Sequence, residues 1–294
     1  MGTTPATLIH ANGRVLAALD VSTYSASVAG AAAWAARRLG APLEFVHVID
    51  RAVSAGGKQD LSGNLVLGDR EDLLAELAAL DESRARIAQE SGRRLVEQGR
   101  ALALQAEGVE AESRLRHGAL VDTLLELESE ARLFVIGKRG EHADFASGHL
   151  GSNLERVVRA VHRPVLVAAR AFKAPGKFLI AFDNSATTRR CIEMVCASPL
   201  LAGLPCDLLM IGDPAREPDG LEWAREQLID AGFHTDVHVA LGPADATIAR
   251  HVQQHGIDLI VMGAYGHSRI RSLILGSTTT QVLRTCLVPV LLLR

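Results

Sequence analysis

Short apolar runs alternate with longer segments of mixed character along the whole chain. The runs have the length and composition of buried strands and lie near residues 14–20, 43–49, 111–116, 132–137, 164–169, 177–183, 205–212, 235–240, 257–263 and 288–293. The segments between them have helical features, and the longest extends from Asp69 to about Ala106. Because strands and helices in alternation form a parallel sheet covered on both faces, the pattern predicts an α/β fold.

The second half of the chain repeats the first. Three features occur in the same order in both halves: an apolar strand that ends in Asp, a strand followed by Gly-x-x-Gly, and a closing Pro-Val-Leu strand. They lie at 14–20, 133–140 and 163–168, and again at 177–183, 259–266 and 288–293. The length of 294 residues is also about twice that of an ordinary domain. We therefore predict two tandem domains, residues 1–171 and 177–294, joined by a linker at 172–176 that contains a Pro-Gly step.

Each predicted domain is an open sheet of five parallel strands in the order 3-2-1-4-5, with helices on both faces. The glycine-rich loops then follow the fourth strands, and the fifth strands are edges. Because exposed apolar edges favour pairing, Val165 to Ala169 should pair with Val290 to Leu293, either from the other half or from a second chain. Self-association through these strands is therefore expected.

Composition excludes several classes of partner. The formal net charge is only -3 and the basic residues are scattered, so no nucleic-acid partner is expected. The segment from Met1 to Asn12 lacks signal-peptide features, and no apolar stretch approaches the roughly 20 residues that span a bilayer. We predict a cytoplasmic protein without a membrane partner. The 4 cysteines have no C-x-x-C spacing, which argues against a disulfide framework.

The segment after the fourth strand of the second half has the features of an anion-binding loop. Gly263 allows a tight turn out of a buried strand, and Gly266 removes a side chain where a ligand could approach. Gly276 precedes a predicted helix that begins with Ser277 and Thr278. A helix start offers unpaired N–H groups and the positive end of a dipole, and hydroxyls add donors for a phosphate. An ordinary glycine-rich turn before a helix cap has the same sequence, so this loop alone leaves both interpretations open.

Together with the strand-end aspartate and the final Val-Pro-Val-Leu strand, this loop resembles the universal stress protein family. ATP-binding members of that family carry G-x2-G-x9-G followed by Ser or Thr, and the second half matches at every spacing. The resemblance implies that the aspartate lies beside adenine and ribose while the loop holds the phosphates. The implied site comprises Asp183, Gly263, Gly266, Gly276, Ser277 and Thr278. Asp183 could instead cap the helix that follows it.

The first half carries a looser version of the same loop. Ten residues, 141–150, separate its second and third glycines, one more than in the second half. A loop can absorb one inserted residue, and Lys138 adds a cation that could attract phosphate. A second, weaker nucleotide site is therefore implied at Asp20, Gly137, Lys138, Gly140, Gly151 and Ser152.

Three functions remain open at this point. The resemblance implies a stress-response regulator that binds ATP, alone or with Mg²⁺, with little or no turnover and no catalytic residue. The second hypothesis is a slow ATP hydrolase or phosphotransferase, although the sequence shows neither a P-loop nor a recognisable arginine finger. The third is a nucleotide-free dimerising scaffold that binds another small ligand.

Two groups of residues have spacing that permits a metal ion without specifying one. They are His142, Asp144 and His149 in the first glycine loop, and His234, Asp236 and His238 along one strand. Neither group supplies a full ligand shell, so no metal site is expected from the sequence.

Overall fold

The structure, a computed structural model, describes residues 9–50, 67–140, 151–213, 220–264 and 275–294. Strands and helices alternate in both halves as predicted. The elements of the first half are β1 (Arg14–Ala18), α1 (Ser25–Leu39), β2 (Leu43–Ile49), α2 (Leu67–Glu107), β3 (Ala111–His117), α3 (Leu120–Glu126), β4 (Ala131–Gly137), α4 (Ser152–Ala160) and β5 (Val165–Ala168). Those of the second half are β6 (Phe178–Phe182), α5 (Ala186–Ala197), a short 3₁₀ helix (Pro199–Leu201), β7 (Cys206–Ile211), α6 (Leu221–Asp230), β8 (Thr235–Ala240), α7 (Ala244–Gln254), β9 (Leu259–Gly263), α8 (Ser277–Thr285) and β10 (Val290–Leu293).

The strands of the described residues form one ten-stranded sheet in the order β3-β2-β1-β4-β5-β10-β9-β6-β7-β8. Each half has the predicted order 3-2-1-4-5, and pairing within each half is parallel. The predicted fold class is therefore confirmed. Because β1 lies beside β4 and β6 lies beside β9, the strand-end aspartate and the glycine loop of each half emerge at the same edge of the sheet.

The two halves meet through their last strands. β5 and β10 pair antiparallel, with Val167 opposite Val290 and Val165 opposite Leu292. The predicted pairing of these strands is confirmed in the form that joins the two halves of one chain. Since β3 and β8 are the edges of the combined sheet, two chains could associate through β5 and β10 only by exchanging these strands.

Each face of the sheet has an apolar core that continues across both halves. Helices α1, α2, α5 and α6 cover one face, where Phe45 and Phe178 are fully buried. Helices α3, α4, α7 and α8 cover the other face, over Phe134 and Ile260. No helix in the described ranges is both long and apolar enough to cross a membrane.

The predicted linker is held against both halves. Phe172 packs against Trp34 of α1, with ring centroids 6.0 Å apart. The Gly176 backbone N–H donates to Asp258 Oδ2 at 2.9 Å, which fixes the chain next to the start of β9. The connection between the halves is therefore short and fastened at both ends.

A buried carboxylate lies near the amino end of β2 in the first half. The Glu44 side chain is only 2% exposed and contacts two arginines. Arg114 of β3 donates from Nε to Oε1 at 2.6 Å and from Nη2 to Oε2 at 3.2 Å. Arg14 donates from Nη1 to Oε2 at 2.9 Å. Guanidinium groups thus satisfy both oxygens of this carboxylate.

Candidate functional site

The start of α8 is anchored to the end of β9 at the carboxyl edge of the sheet. Gly276 is the N-cap residue of α8, with φ -54° and ψ 138°. Its N–H donates to the Ala264 carbonyl at 3.4 Å. The Thr279 hydroxyl donates to the Gly263 carbonyl at 3.0 Å. These two bonds set where the first turn of α8 lies relative to the strand end.

That first turn presents donors to solvent. Ser277 is exposed and Thr278 is half-buried, and Gly276 places no side-chain cap over the N–H groups. By helix geometry, the first N–H groups have no acceptor inside the helix. They form a surface suited to an anion, as the loop sequence predicts. Gly266 lies outside the described residues.

The first half builds the same anchor. Gly151 is the N-cap residue of α4, with φ -59° and ψ 129°. Its N–H donates to the Lys138 carbonyl at 3.3 Å, and Lys138 follows its strand-end glycine as Ala264 does in the second half. The inserted residue therefore leaves both anchored ends in the same geometry. Residues 141–150 and the side chain of Ser152, the first residue of α4, are not among the described parts.

Asp20 follows β1 and lies directly beside the first glycine loop. Its Oδ1 accepts the Ser22 backbone N–H at 3.1 Å and also the Ser22 hydroxyl. Its Oδ2 would lie only 3.2 Å from a Cβ added at Gly140. A Cβ at Gly151 would in turn lie 3.4 Å from the Gly140 nitrogen. The structure thus brings Asp20, Gly140 and Gly151 together, as the resemblance implies.

Asp183 directly follows β6, the equivalent strand of the second half, which lies next to β9. Its Oδ1 accepts the Ser185 backbone N–H at 3.0 Å and the Thr188 hydroxyl at 2.7 Å. Ser185 is the N-cap residue of α5, and its side chain accepts the Thr188 backbone N–H at 3.2 Å. The side-chain cap of α5 is therefore Ser185, while the exposed Asp183 closes the turn before it.

Gly137 has a packing reason to be glycine. A Cβ at this position would lie 2.9 Å from the Tyr24 Cβ and 3.3 Å from the Arg139 carbonyl oxygen. The close approach of α1 to the end of β4 therefore excludes any side chain here, whether or not a ligand lies nearby.

The Lys138 ammonium has different partners from the phosphate that the sequence suggests. The side chain is buried, and its ammonium donates to the carbonyls of Cys286 and Val288, the latter at 3.3 Å. Cys286 is the C-cap of α8 in the other half, so the cation lies at the negative end of that helix. The prediction that Lys138 attracts a phosphate is not supported by this placement, because the ammonium instead joins the two halves.

The burial of Lys138 predicts a pH dependence of stability. Burial lowers the pKa of Lys138 from 10.5 to about 8. The unfolded chain keeps this proton to a higher pH than the folded protein, so the free energy of unfolding should rise as pH increases from about 8 to about 10.5. Relative to Lys138→Met, the unmodified chain should gain about 1–3 kcal/mol across this window. Urea unfolding at several pH values measures the difference, and equal pH slopes in the two proteins would contradict it.

A second polar cluster lies at the opposite, amino end of the strands in the second half. Asp207 of β7 is fully buried. Its Oδ2 lies 2.8 Å from His251 Nε2, 3.4 Å from His238 Nε2 and 3.7 Å from His255 Nδ1. Its Oδ1 lies 2.8 Å from the Lys177 ammonium. Three imidazoles and one ammonium thus surround a single carboxylate.

The charges of this cluster follow from burial and from its hydrogen bonds. Burial by itself would raise the pKa of Asp207, but hydrogen bonds from Lys177 and His251 lower that pKa on balance. Burial lowers the pKa of His251 by more than the contact with Asp207 raises it. At neutral pH the cluster therefore holds an ionised carboxylate beside a neutral His251 imidazole.

His238 lies in a different group from the one that its spacing along β8 suggests. His234 and Asp236 do not belong to the cluster, which instead unites β7, β8 and the end of α7. The signal that could have revealed it is the spacing from His251 to His255, because residues four apart lie on the same face of a helix.

The chain is similar to known proteins over nearly its whole length. The model of the universal stress protein family matches residues 11–169 and 176–294. Universal stress protein Slr1230 of Synechocystis sp. is 36% identical over 285 residues, covering 95% of this chain and 99% of that protein. A solved universal stress protein from Archaeoglobus fulgidus aligns with a TM-score of 0.67 at 19% identity, covering 95% of this chain and 98% of its own. PA1789 from Pseudomonas aeruginosa, described as functionally unknown, aligns with a TM-score of 0.60 at 17% identity, covering 98% of this chain and 94% of its own.

Proposed function

The chain belongs to the universal stress protein family as a tandem of two family domains, and from this premise we propose that it is a stress-response regulator that binds ATP. The observation that carries the proposal is the repeated anchor at the two helix starts. In each half the helix begins at a glycine N-cap residue, Gly151 or Gly276. The N–H of this glycine donates to the backbone carbonyl of the residue that follows the strand-end glycine. Such an anchor holds unpaired N–H groups at the carboxyl edge of a parallel sheet, where phosphates bind.

In the second half, we assign the phosphates to the start of α8. The backbone N–H groups of Ser277 and Thr278, together with their hydroxyls, supply the donors, and Gly263, Gly266 and Gly276 leave space for the ligand. Ser185 and Thr188 orient the Asp183 carboxylate through its Oδ1, and we assign this carboxylate to the ribose and adenine. Where Mg²⁺ accompanies the nucleotide, the nucleotide phosphates would hold it and it would offset part of their charge.

The first half supplies a second, weaker site. Asp20, Gly140 and Gly151 lie together as that site requires. The Lys138 ammonium faces the other half, so Lys138 does not compensate for the longer loop of this site. We therefore place the tighter binding in the second half, even though the two anchors have the same geometry. The cytoplasmic location and self-association between chains stay predictions from the sequence.

Two aspartate variants test the proposal and the ranking. Acid extraction of the purified protein should release an adenine nucleotide. In calorimetric titrations with ATP, Asp183→Ala should weaken the tighter phase by at least about tenfold, or about 1.4 kcal/mol, and Asp20→Ala should weaken only the weaker phase.

Asp230→Ala is the matched control, because Asp230 is an exposed residue at the far end of α6. Unchanged ATP binding in both folded variants would exclude these edges as nucleotide sites, and loss of the tighter phase only in Asp20→Ala would reverse the ranking. Release of phosphate in the same samples would support the slow hydrolase instead.

A cavity between the halves favours one second candidate, a small ligand other than a nucleotide. Its walls include Met194, Leu200 and Leu291, and Arg132 and Arg190 also line it. Apolar walls with guanidinium groups suit a small molecule that has an apolar body and an anionic group. An acid extract without nucleotide, together with such a compound in an organic extract, would favour this candidate over ATP binding.

A further inference from the structure

Hydrogen bonding does not explain why three imidazoles lie around Asp207. Of the three, His251 forms the hydrogen bond to Oδ2, at 2.8 Å. His238 Nε2 is buried yet makes no hydrogen bond within the described residues, although it lies 3.4 Å from the same oxygen. The rings are packed together, with centroids of His251 and His255 3.9 Å apart and stacked, and His238 4.6 Å from His251. A buried polar atom left unsatisfied inside such a cluster points to a missing partner.

The donor atoms have the spacing of a metal site. One ligand atom from each of Asp207, His238, His251 and His255 lies within 4.8 Å of all the others. Tetrahedral Zn²⁺ binds at about 2.0–2.1 Å, which places neighbouring donors roughly 3.4 Å apart. The contacts of Asp207 Oδ2 with the three rings, 2.8, 3.4 and 3.7 Å, bracket this value. Three imidazoles and a carboxylate form a ligand set suited to Zn²⁺ and related divalent transition metals. We propose that these four residues bind one such ion, with Zn²⁺ as the preferred metal.

Lys177 completes the arrangement as an outer partner. Its ammonium lies 2.8 Å from Asp207 Oδ1, so it holds one carboxylate oxygen and leaves Oδ2 directed at the three histidines. Groups that hold metal ligands in place from outside commonly govern affinity as well. To coordinate through Nε2, the neutral His251 ring shifts its proton to Nδ1 by tautomerisation, so the metal gains a lone pair without net proton release.

The first half supplies an internal comparison. Strand register places Glu44 opposite Leu16 and Asp207 opposite Leu179, each as the second residue of its strand. Register also places Arg114 opposite Val46 and His238 opposite Leu209, which are equivalent positions. In the first half, arginines close the buried carboxylate, and a guanidinium has no lone pair for a metal. In the second half, a histidine takes the place of Arg114, so the same position gains a metal ligand.

The site is separate from the proposed nucleotide edge and open to solvent. Asp207 and His251 form its buried wall, while the side chains of His238 and His255 are 29% and 36% exposed and leave an entry path. β7 runs between this cluster and the carboxyl edge, and its six residues span about 20 Å. A metal ion here would fasten edge strand β8 to β7 and to the end of α7, so its role is structural.

Metal titration of the full-length protein without an affinity tag tests the proposal. After treatment with a chelator and dialysis, Zn²⁺ should bind at one equivalent per chain by calorimetry, and bound metal should be counted by elemental analysis. Co²⁺ should give the intense visible absorption of tetrahedral coordination. His251→Gln and Asp207→Asn should each lower Zn²⁺ affinity at least about tenfold, and Lys177→Met by a smaller factor. His234→Gln is the matched control, because His234 is an exposed histidine outside the cluster, and it should bind like the unmodified protein.

Several results would overturn the proposal. One is Zn²⁺ binding that His251→Gln leaves unchanged, and another is binding that His234→Gln reduces as strongly. His255→Gln keeps the test decisive if Asp207→Asn does not fold, because His255 is the partly exposed C-cap residue of α7. Full Zn²⁺ affinity in folded His255→Gln would count against the four-residue site. Loss of ATP binding in His255→Gln would also do so, because it would make the cluster part of the nucleotide site.

Discussion

Gly276→Val is expected to lower ATP affinity in the second half by at least about 100-fold, or about 2.7 kcal/mol, while the domain stays folded. Valine can adopt the Gly276 backbone, because its φ of -54° lies in the ordinary negative region. At the equivalent Gly151 of the first half, an added Cβ would lie 3.4 Å from the Arg139 Cα and from the Gly140 nitrogen. One carbon thus fits in ordinary contact at position 151, and we expect the two further methyl groups of valine at position 276 to occupy the space assigned to phosphate.

Calorimetry with ATP measures this effect, and circular dichroism checks the fold. Gly276→Ala is the graded control, and it should lose much less affinity than the valine variant. Gly151→Val should remove only the weaker phase. If folded Gly276→Val binds ATP as the unmodified protein does, the start of α8 does not hold the phosphates.

Arg114→Met should lower the free energy of unfolding by about 3 kcal/mol, because it removes one partner of a buried ion pair. Glu44 is only 2% exposed, and Arg114 makes two of its hydrogen bonds, at 2.6 and 3.2 Å. After the substitution, Arg14 alone faces a carboxylate that water cannot reach. The cost should come mainly from the weaker charge compensation of Glu44, since methionine retains most of the apolar stem of arginine.

The matched control for this effect is Arg94→Met. Arg94 is 75% exposed and pairs with Glu90 one turn earlier on α2, so its loss should cost less than about 0.5 kcal/mol. Urea unfolding of the three proteins measures both differences. Similar losses in the two variants would mean that the pair at Glu44 is no more important than a surface contact.

The fold could be predicted from the sequence because its signals are local and repeated. Strands buried on both faces, such as β4 and β9, appear as continuous apolar runs. Because of the duplication, each strand has an equivalent in the other half of the sequence. The apolar runs of the final strands also predicted the pairing of β5 with β10. The ends of elements were less certain: the first strand stops at Ala18, short of the predicted Asp20, because Asp20 accepts the Ser22 N–H in the turn that leads to α1.

The candidate site could be predicted only where its residues lie close together in the sequence. Gly276, Ser277 and Thr278 are consecutive, so their placement at a helix start follows from the motif. The direction of the Lys138 side chain could not be predicted, because its acceptor carbonyls belong to residues near 286 in the other half. The histidine cluster was missed for the same reason: Asp207 and His251 are 44 residues apart, and the packing of α7 on β7 brings them together.

The antiparallel pairing of β5 with β10 has a consequence for how the protein behaves at low abundance. Two separate chains joined by such strands would come apart on dilution below their dissociation constant. Here the fastened connection around Phe172 and Gly176 keeps the partner strand at an effective concentration of about millimolar or higher. The two strands therefore stay paired even when a cell contains only a few copies of this chain. Each half also keeps the other half as a permanent neighbour within the chain.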